Sequence, residues 1–525
     1  MLMLNKNILY TLAGLTLISG NCVLNAQSTT KGTYSLEKED IETVQNPWVS
    51  MPTPAAIGFS TQSEGNQVSL KIDHQSGDYK LAEDAGQENA LMFDASMFQK
   101  IGETFRFYGH FGLNYSHQND RAYYDLIFPT ENAYVMGANR KGKYNQYLYD
   151  LNFKVATIDL NSWNFGMGID YKAGDLSRIL DPRPRVLAAQ YQLTPAVTYK
   201  LNESNRFGLS AFYRFEKQRM TNITQVNDDK NYTYYFTTGL DNAYTTVDFG
   251  GFFRIYSDHI LGADLQYGLT SDNWTWTSSI GMSHHDLKMT GSERRIPGTY
   301  TQDKFKAITK VTWESSNMLH AFGADASYRN GSNTAYVQKY VQSTDEYGNV
   351  SEKWVTEYKN KTYTHNNYDF SASYDLYLGD VDAKDYSMKF GVSGAMHHFE
   401  RKYLLPTSKH DMTNTTADAY YSIRLYNKNQ HKVWFSVGGG IVTPLDQSML
   451  LVNNNDYAGL VLRANEVYYN LSAYNYKVDL NYSFPISMGS SKLIGYIKAM
   501  YKQTNSEDND LDYLQTSITV GVLNF

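Results

Sequence analysis

The chain has 525 residues, a formal net charge of -7, one Cys, 11 Pro, 37 Gly and 45 Tyr. That sign of charge argues against nucleic acid as a partner, and no run of about 18 apolar residues follows the N-terminal region, which excludes a helical membrane span. Aromatic residues make up 14% of the chain although mean hydropathy is only -0.50, a pairing expected when one face of each strand meets lipid, the other meets water, and Tyr and Trp mark the interfaces.

At the N-terminus, Lys6 precedes an apolar run from Ile8 to Ile18 and a small-residue exit at Ala26, followed by Gln27. This order predicts a secretory signal peptide over residues 1–26, with an apolar run too short to span a bilayer. Cys22 invites a lipoprotein reading, but Asn21 and Ser19 fit that pattern poorly, so processing at Ala26 is preferred. The mature chain then lacks cysteine, which leaves out disulfides, thiol nucleophiles and cysteine metal sites. Residues 27–65 precede the first clear strand and are expected in the periplasm or in the lumen of a barrel formed by 66–525.

From Phe105 the chain alternates. Phe105, Phe107, Phe111, Leu113 and Tyr115 share one face, and Arg106, Tyr108, His110 and Asn114 share the other. The pattern recurs at Tyr149 to Val155, Phe165 to Tyr171, Phe207 to Phe215, Trp274 to Met282, Tyr368 to Leu378, Met388 to Met396, Ala419 to Leu425, Val433 to Ile441, Val478 to Phe484 and Leu493 to Tyr501. The number and uniform length of these segments fit a bilayer better than a soluble sheet, whose strands cluster at about 5 to 6 residues. The face opposite the aromatics places Arg106, His110, Asp150, Lys154, Asp170, Lys172, Arg214, Glu216, Asp369, Asp375, Lys389, Asp479 and Lys498 toward the lumen. Both signs of charge are represented, which points to a weakly selective passage or to a charge-paired, partly closed interior.

Short and long links alternate, as barrel topology requires. Short ones fall at Lys100 to Glu103, Asp159 to Ser162, Leu201 to Asn205, Thr270 to Asn273, Glu314 to Asn317, Gly379 to Lys384, Asn427 to Gln430 and Pro485 to Ser490. Long outer links are expected at His117 to Gln146, Gln218 to Asp258, Asp286 to Asp303, Asn330 to Asn366, Arg401 to Thr415 and Gln503 to Asp512. Two of them contain strand-like pieces, Tyr232 to Leu240 and Ala335 to Gln342. The expected fold is an all-β transmembrane antiparallel barrel of about 18 strands, within about 14 to 20, with long extracellular loops and short periplasmic turns.

The last twelve residues, Leu514 to Phe525, are uncharged and rich in β-branched residues, a strand suited to closing a sheet on its first member. With Phe525 last and Leu523 two before it, the ending resembles the assembly signal of bacterial outer-membrane β-barrels, although Gly521 stands one position nearer the end than usual. Together with the signal peptide, the Asn-Ala-Gln cleavage site and the Tyr-rich strands, it resembles an uncharacterised family of Bacteroidota outer-membrane β-barrels. The resemblance implies fold and location but no known activity. Asn46-Pro47-Trp48 and Pro54-Ala55-Ala56 are similar to the lumen-entering N-terminal region of fatty-acid-transporter-like barrels. No long glycine-rich plug of the kind found in TonB-dependent receptors is present.

Catalytic readings find little support. His74-Gln75-Ser76-Gly77 superficially resembles a barrel phospholipase, but a turn at a strand end explains it better. His284-His285 and His397-His398 are adjacent on strands and point to opposite faces, so each pair offers at most one ligand to a metal. Arg183, Arg185, Arg294 and Arg295 lie in expected outer loops, as solvated charges or as contacts for lipopolysaccharide phosphate. No enzyme activity and no cofactor are expected. The leading expectation is passage or uptake of a small solute across the outer membrane. The alternatives are a surface-exposed binding or assembly component beside a lipoprotein or a TonB-dependent receptor, and a barrel enzyme. Outer-membrane lipid, lipopolysaccharide and the barrel-assembly machinery are the expected surroundings.

Overall fold

The computed structural model describes residues 35–524 except 159, 222, 224–233, 247–252, 292–294, 349, 489–490 and 508–509. The expected signal peptide, Arg294 and Phe525 lie outside the described residues. Within them, eighteen strands form one antiparallel sheet. Its first seven are β1 (Gly65–Gly77), β2 (Gln87–Ile101), β3 (Phe105–Arg121), β5 (Gly142–Thr157), β6 (Trp163–Arg178), β7 (Arg185–Lys200) and β8 (Asn205–Thr221). Then come β11 (Arg254–Thr270), β12 (Trp274–Gly291), β13 (Gly298–Glu314), β14 (Met318–Thr344), β15 (Val350–Leu378) and β16 (Met388–Leu404). The last five are β17 (Thr407–Lys428), β18 (His431–Leu450), β19 (Ala473–Met488), β20 (Ser491–Ser506) and β21 (Asp512–Leu523). A small second sheet joins β4 (Met136–Ala138), β9 (Tyr234–Gly239) and β10 (Asn242–Thr246).

Each strand of the large sheet pairs with the next, and β1 pairs with β21, Gln67 opposite Leu523 and Ile72 opposite Ile518. The sheet therefore closes into a barrel with no free edge. Alternation sets the two faces. Phe165, Met167, Ile169 and Tyr171 on β6, Leu261 and Leu265 on β11, and Ile518 and Val520 on β21 are exposed on the outside. An apolar belt on the outer wall of a ring is a lipid-facing surface. The odd-and-even partners of these residues face inward. Most strands run to 16 residues or more, as in β12 with 18, longer than the roughly 9 to 11 that cross a bilayer. The surplus extends beyond the belt.

The ends of the strands bracket the eight short links where the alternation places them. Asn429 and Gln430 turn the chain between β17 and β18 with φ of 54° and 65°, the pair of positive angles that matches strand twist in a two-residue hairpin. The opposite rim differs from expectation. The long loop expected over Arg401 to Thr415 is a two-residue turn, because β16 and β17 stay paired up to Leu404 opposite Thr407. Their inward residues Phe399, Tyr403 and His410 are buried, which holds the pairing where the outer face has become polar. The long acidic loop expected over Gln503 to Asp512 shortens to residues 507–511. Asn330 to Asn366 is a single hairpin, with β14 of 27 and β15 of 29 residues paired out to Thr344 opposite Val350. The long link expected over Asp286 to Asp303 shortens to residues 292–297, those that remain long are 122–141 and 222–253, and a further long one that the alternation did not single out is 451–472.

Candidate functional site: a charged chamber inside the barrel

The segment after Ser35 lies inside the rim of short turns. Helix α1 (Leu36–Gln45) starts at Ser35, whose Oγ accepts from Lys38 N at 3.2 Å. Glu37 and Ile41, four residues apart and on one face, are both buried. Ile41 packs with Leu319, Tyr377, Val381, Tyr386 and Trp434, while Glu37 accepts from Trp434 Nε1 at 2.6 Å and Lys432 Nζ at 2.9 Å. Tyr386 donates to Asp40 at 2.6 Å, and burial pushes its phenol well up. Burial, reinforced by Asp40, also raises the Glu39 carboxyl.

Two short 3-10 turns, Pro47–Ser50 and Pro54–Phe59, carry the segment across to β5 through β8. Glycines make the room. A Cβ on Gly268 would strike the Trp48 ring, and one on Gly166 would strike the Ala55 backbone. Ser210 Oγ donates to Pro52 O at 2.7 Å, and the Arg206 guanidinium lies 3.6 Å above the Phe59 ring. The segment thus spans the interior between opposite sectors of the ring.

At the other rim, loop 122–141 turns inward. Gln218 of β8 clamps it, accepting from Ile127 N at 3.0 Å and Phe128 N at 3.1 Å and donating to Phe128 O at 3.0 Å. Further along, Glu131 ion-pairs with Arg329 of β14, and accepts from Asn367 of β15 at 2.7 Å. Arg329 reaches on to Asp369 at 2.7 Å, which also meets His397. The loop then supplies β4, and β4 and β9 pack Met136, Tyr234 and Phe236 against Tyr144, Leu176, Val186 and Met220 at the ends of β5 to β8. Asp241, beside β9, accepts from Ser408 Oγ and Val452 N, both at 2.8 Å. Link 451–472 carries helix α2 (Arg463–Asn470), whose Asn465 donates to Glu83 at 2.8 Å. Burial raises the Glu83 carboxyl.

Between the N-terminal segment and Pro129–Glu131 lies a chamber of about 500 Å³. Of the residues expected in the lumen, Lys154, Asp170, Arg214 and Glu216 line it. Lys389, Asp479 and Lys498 line a second cavity of about 650 Å³ beside α1. Asp369 belongs to the Arg329 network. Asp150 pairs with Lys172 at 3.0 Å and His110 with Asp94 at 3.4 Å. Asp375 accepts from Tyr420, and the Arg106 guanidinium lies 5.9 Å from the Phe98 ring. All thirteen occupy inward positions, and several are charge-paired. His284 and His285 point to opposite faces, toward Asp303 and Asp258. His74 bonds Asn89 at 2.8 Å. Arg183 and Arg185 pair with Asp181 and Asp175.

Sequence reasoning missed Glu131, Gln218, Asp258, Asp264, Lys304, Lys306 and Arg329. Asp258 and Asp264 on β11, and Lys304 and Lys306 on β13, share the inward parity of Ile260 and Ile308, but the outer residues Ser257, His259, Thr301 and Asp303 are polar and mask the alternation.

Residues 54–525 match a family of unknown function, DUF6850. The chain belongs to that family. No curated protein matches this DUF6850 member. Among solved structures, it is similar to a copper transporter, OprC, at 8% identity and a TM-score of 0.38, covering 87% of this chain and 83% of that one. It is similar to the FrpB iron transporter from Neisseria meningitidis at 9% identity and 0.39, covering 89% and 82%. A Pseudomonas aeruginosa FadL homologue aligns at 10% identity and 0.32, covering 91% and 94%.

Proposed function

We propose that this DUF6850 barrel resides in the outer membrane and moves a small polar solute through its lumen by a gated route. One observation carries the reading: a chamber of about 500 Å³ with charged walls, inside a ring with an apolar outer belt, is bounded at both ends by the protein's own chain. A barrel of this size encloses water unless something fills it, and here the filling leaves a charged space. The N-terminal segment and the loop held by Gln218 and Glu131 are the two gates. In planar bilayers, the intact protein is expected to conduct little. Variants that lack residues 35–60 and also carry Glu131→Gln, with or without Gln218→Leu, are expected to conduct steadily. Silence from every variant, with folding shown by gel mobility, overturns the reading.

A second reading, a surface-exposed binding or assembly component, is favoured by the β14–β15 hairpin. Its ladder runs past the ends of β13 and β16, with Tyr347 at its tip 82% exposed. A lipoprotein or a TonB-dependent receptor is the kind of partner that reading takes, and co-purification lost on trimming the hairpin tests it.

A further inference from the structure

The chamber wall is polarised. Glu216 on β8 and Asp258 and Asp264 on β11 line one side, and Lys304 and Lys306 on β13 line the other, beside Arg329, whose charge is taken up by Glu131 and Asp369. The intervening strand β12 contributes Gly281, Ser283 and His285. Asp264, Gly281 and Lys306 stand in one row, Asp264 opposite Gly281 and Gly281 opposite Lys306. A carboxylate and an ammonium therefore rise on either side of a residue with no side chain. A Cβ there would meet Asp264 Oδ1, so the glycine leaves the Asp264 carboxylate its place. Arg214 forms no ion pair with the acidic side among the described residues, and its Nε donates to Gln192 of β7 at 2.8 Å. Among the described residues, Lys304 and Lys306 form no ion pair, and Asp264 forms none either.

The two charged walls are two strand spacings apart, roughly 10 Å at their backbones. Opposite charges left apart inside a cavity favour a ligand that carries both charges itself, since it satisfies each wall with a charge-assisted hydrogen bond. A three-residue extended peptide spans roughly 10 Å. We propose that the chamber binds a small zwitterion the length of a short unblocked peptide, its ammonium at Glu216, Asp258 and Asp264 and its carboxylate at Lys304 and Lys306. This rests on the lumen reading above and assigns its solute class.

The test is calorimetric titration of the full chain in detergent with triglycine, N-acetyl-triglycine and triglycinamide, repeated on the Glu131→Gln variant so that a closed loop cannot hide the chamber. Triglycine is expected to bind at least about tenfold more tightly than either capped peptide, the loss of one charged hydrogen bond being of that size. Glu216→Gln with Asp264→Asn is expected to remove the advantage of the free amine and leave N-acetyl-triglycine binding unchanged. Lys304→Gln with Lys306→Gln is expected to do the reverse, leaving triglycinamide unchanged. A misfolded variant loses both, so the crossed pattern is specific. Equal binding of the three peptides, or none in either background, overturns the proposal. Binding without flux would overturn the transport reading alone, and flux without peptide binding would overturn this assignment alone.

Discussion

Glu131, on the loop between β3 and β5, ion-pairs with Arg329 on β14, so a connection from one sector of the ring is tethered to another. Neither side chain is fully buried, at 21% and 23% exposed, and the pair is one link in a chain that continues to Asp369 and His397. Glu131→Gln keeps the shape and removes the charge. Losing a charge-assisted bond of about 2 kcal/mol shifts the closed-to-open ratio roughly 30-fold. In a background lacking residues 35–60, single-channel recording is expected to show that rise in open time, and an unchanged trace would show that the loop does not gate.

Gln218 makes three hydrogen bonds to the same loop at its other end. Gln218→Leu removes them at similar volume, with an expected cost of about 2 kcal/mol. The two anchors share no partner, so their effects should add to within about 0.5 kcal/mol in the double variant. A double variant no more open than either single one would mean that a third contact limits opening.

Gly166 is where the Ala55 backbone touches the wall. Valine is a better strand former than glycine, so Gly166→Val should leave the barrel ladder intact while expelling the turn Pro54–Phe59. Chymotrypsin cleavage after Phe59 is expected to become fast in the variant and slow in the parent, with unchanged barrel mobility on a gel.

The turn at Asp385 gives the N-terminal segment a pH dependence. Burial pulls its carboxyl upward, but the hydrogen bond from Arg424 at 2.6 Å and the charge of Lys432 outweigh that and hold it below the usual carboxylate range. A depressed acid contributes its stabilisation above the unfolded carboxylate value and loses it as pH falls through the folded value. Tyr386, the next residue of that turn, donates to Asp40 of α1 and packs against Ile41, so acidification through that range should loosen the helix. Hydrogen exchange over 36–45 is expected to accelerate in acid, and Asp385→Asn should flatten the profile.

The strand count, the side that the thirteen lumen residues face and the short turns of one rim were legible because period-two alternation needs only neighbours in sequence. Alternation ends where the strands leave the lipid belt. There Arg401 and Lys402 or Lys409 and Asp411 meet water or protein on both faces, and paired strands read as loop. The chamber was half legible: Lys154 and Glu216 follow from parity, while Glu131 and Gln218 meet their partners only through the inward fold of a loop. The inward glycines Gly166, Gly208 and Gly268, set against the Ala55 backbone and the Trp48 ring, were a further sign, beside the Asn46-Pro47-Trp48 resemblance, that the N-terminal segment lies against the wall.

The seam of β1 with β21 has a consequence for how the molecule is made. Half of β1's backbone groups find their partners on the final strand, so the first strand waits for the last to arrive. Any shorter product carries two raw margins of unpaired amides and carbonyls, each a template for sticking to another copy. A ring of this kind has no stable halfway stage in water, and its completion depends on shelter for the growing margins until the two ends meet.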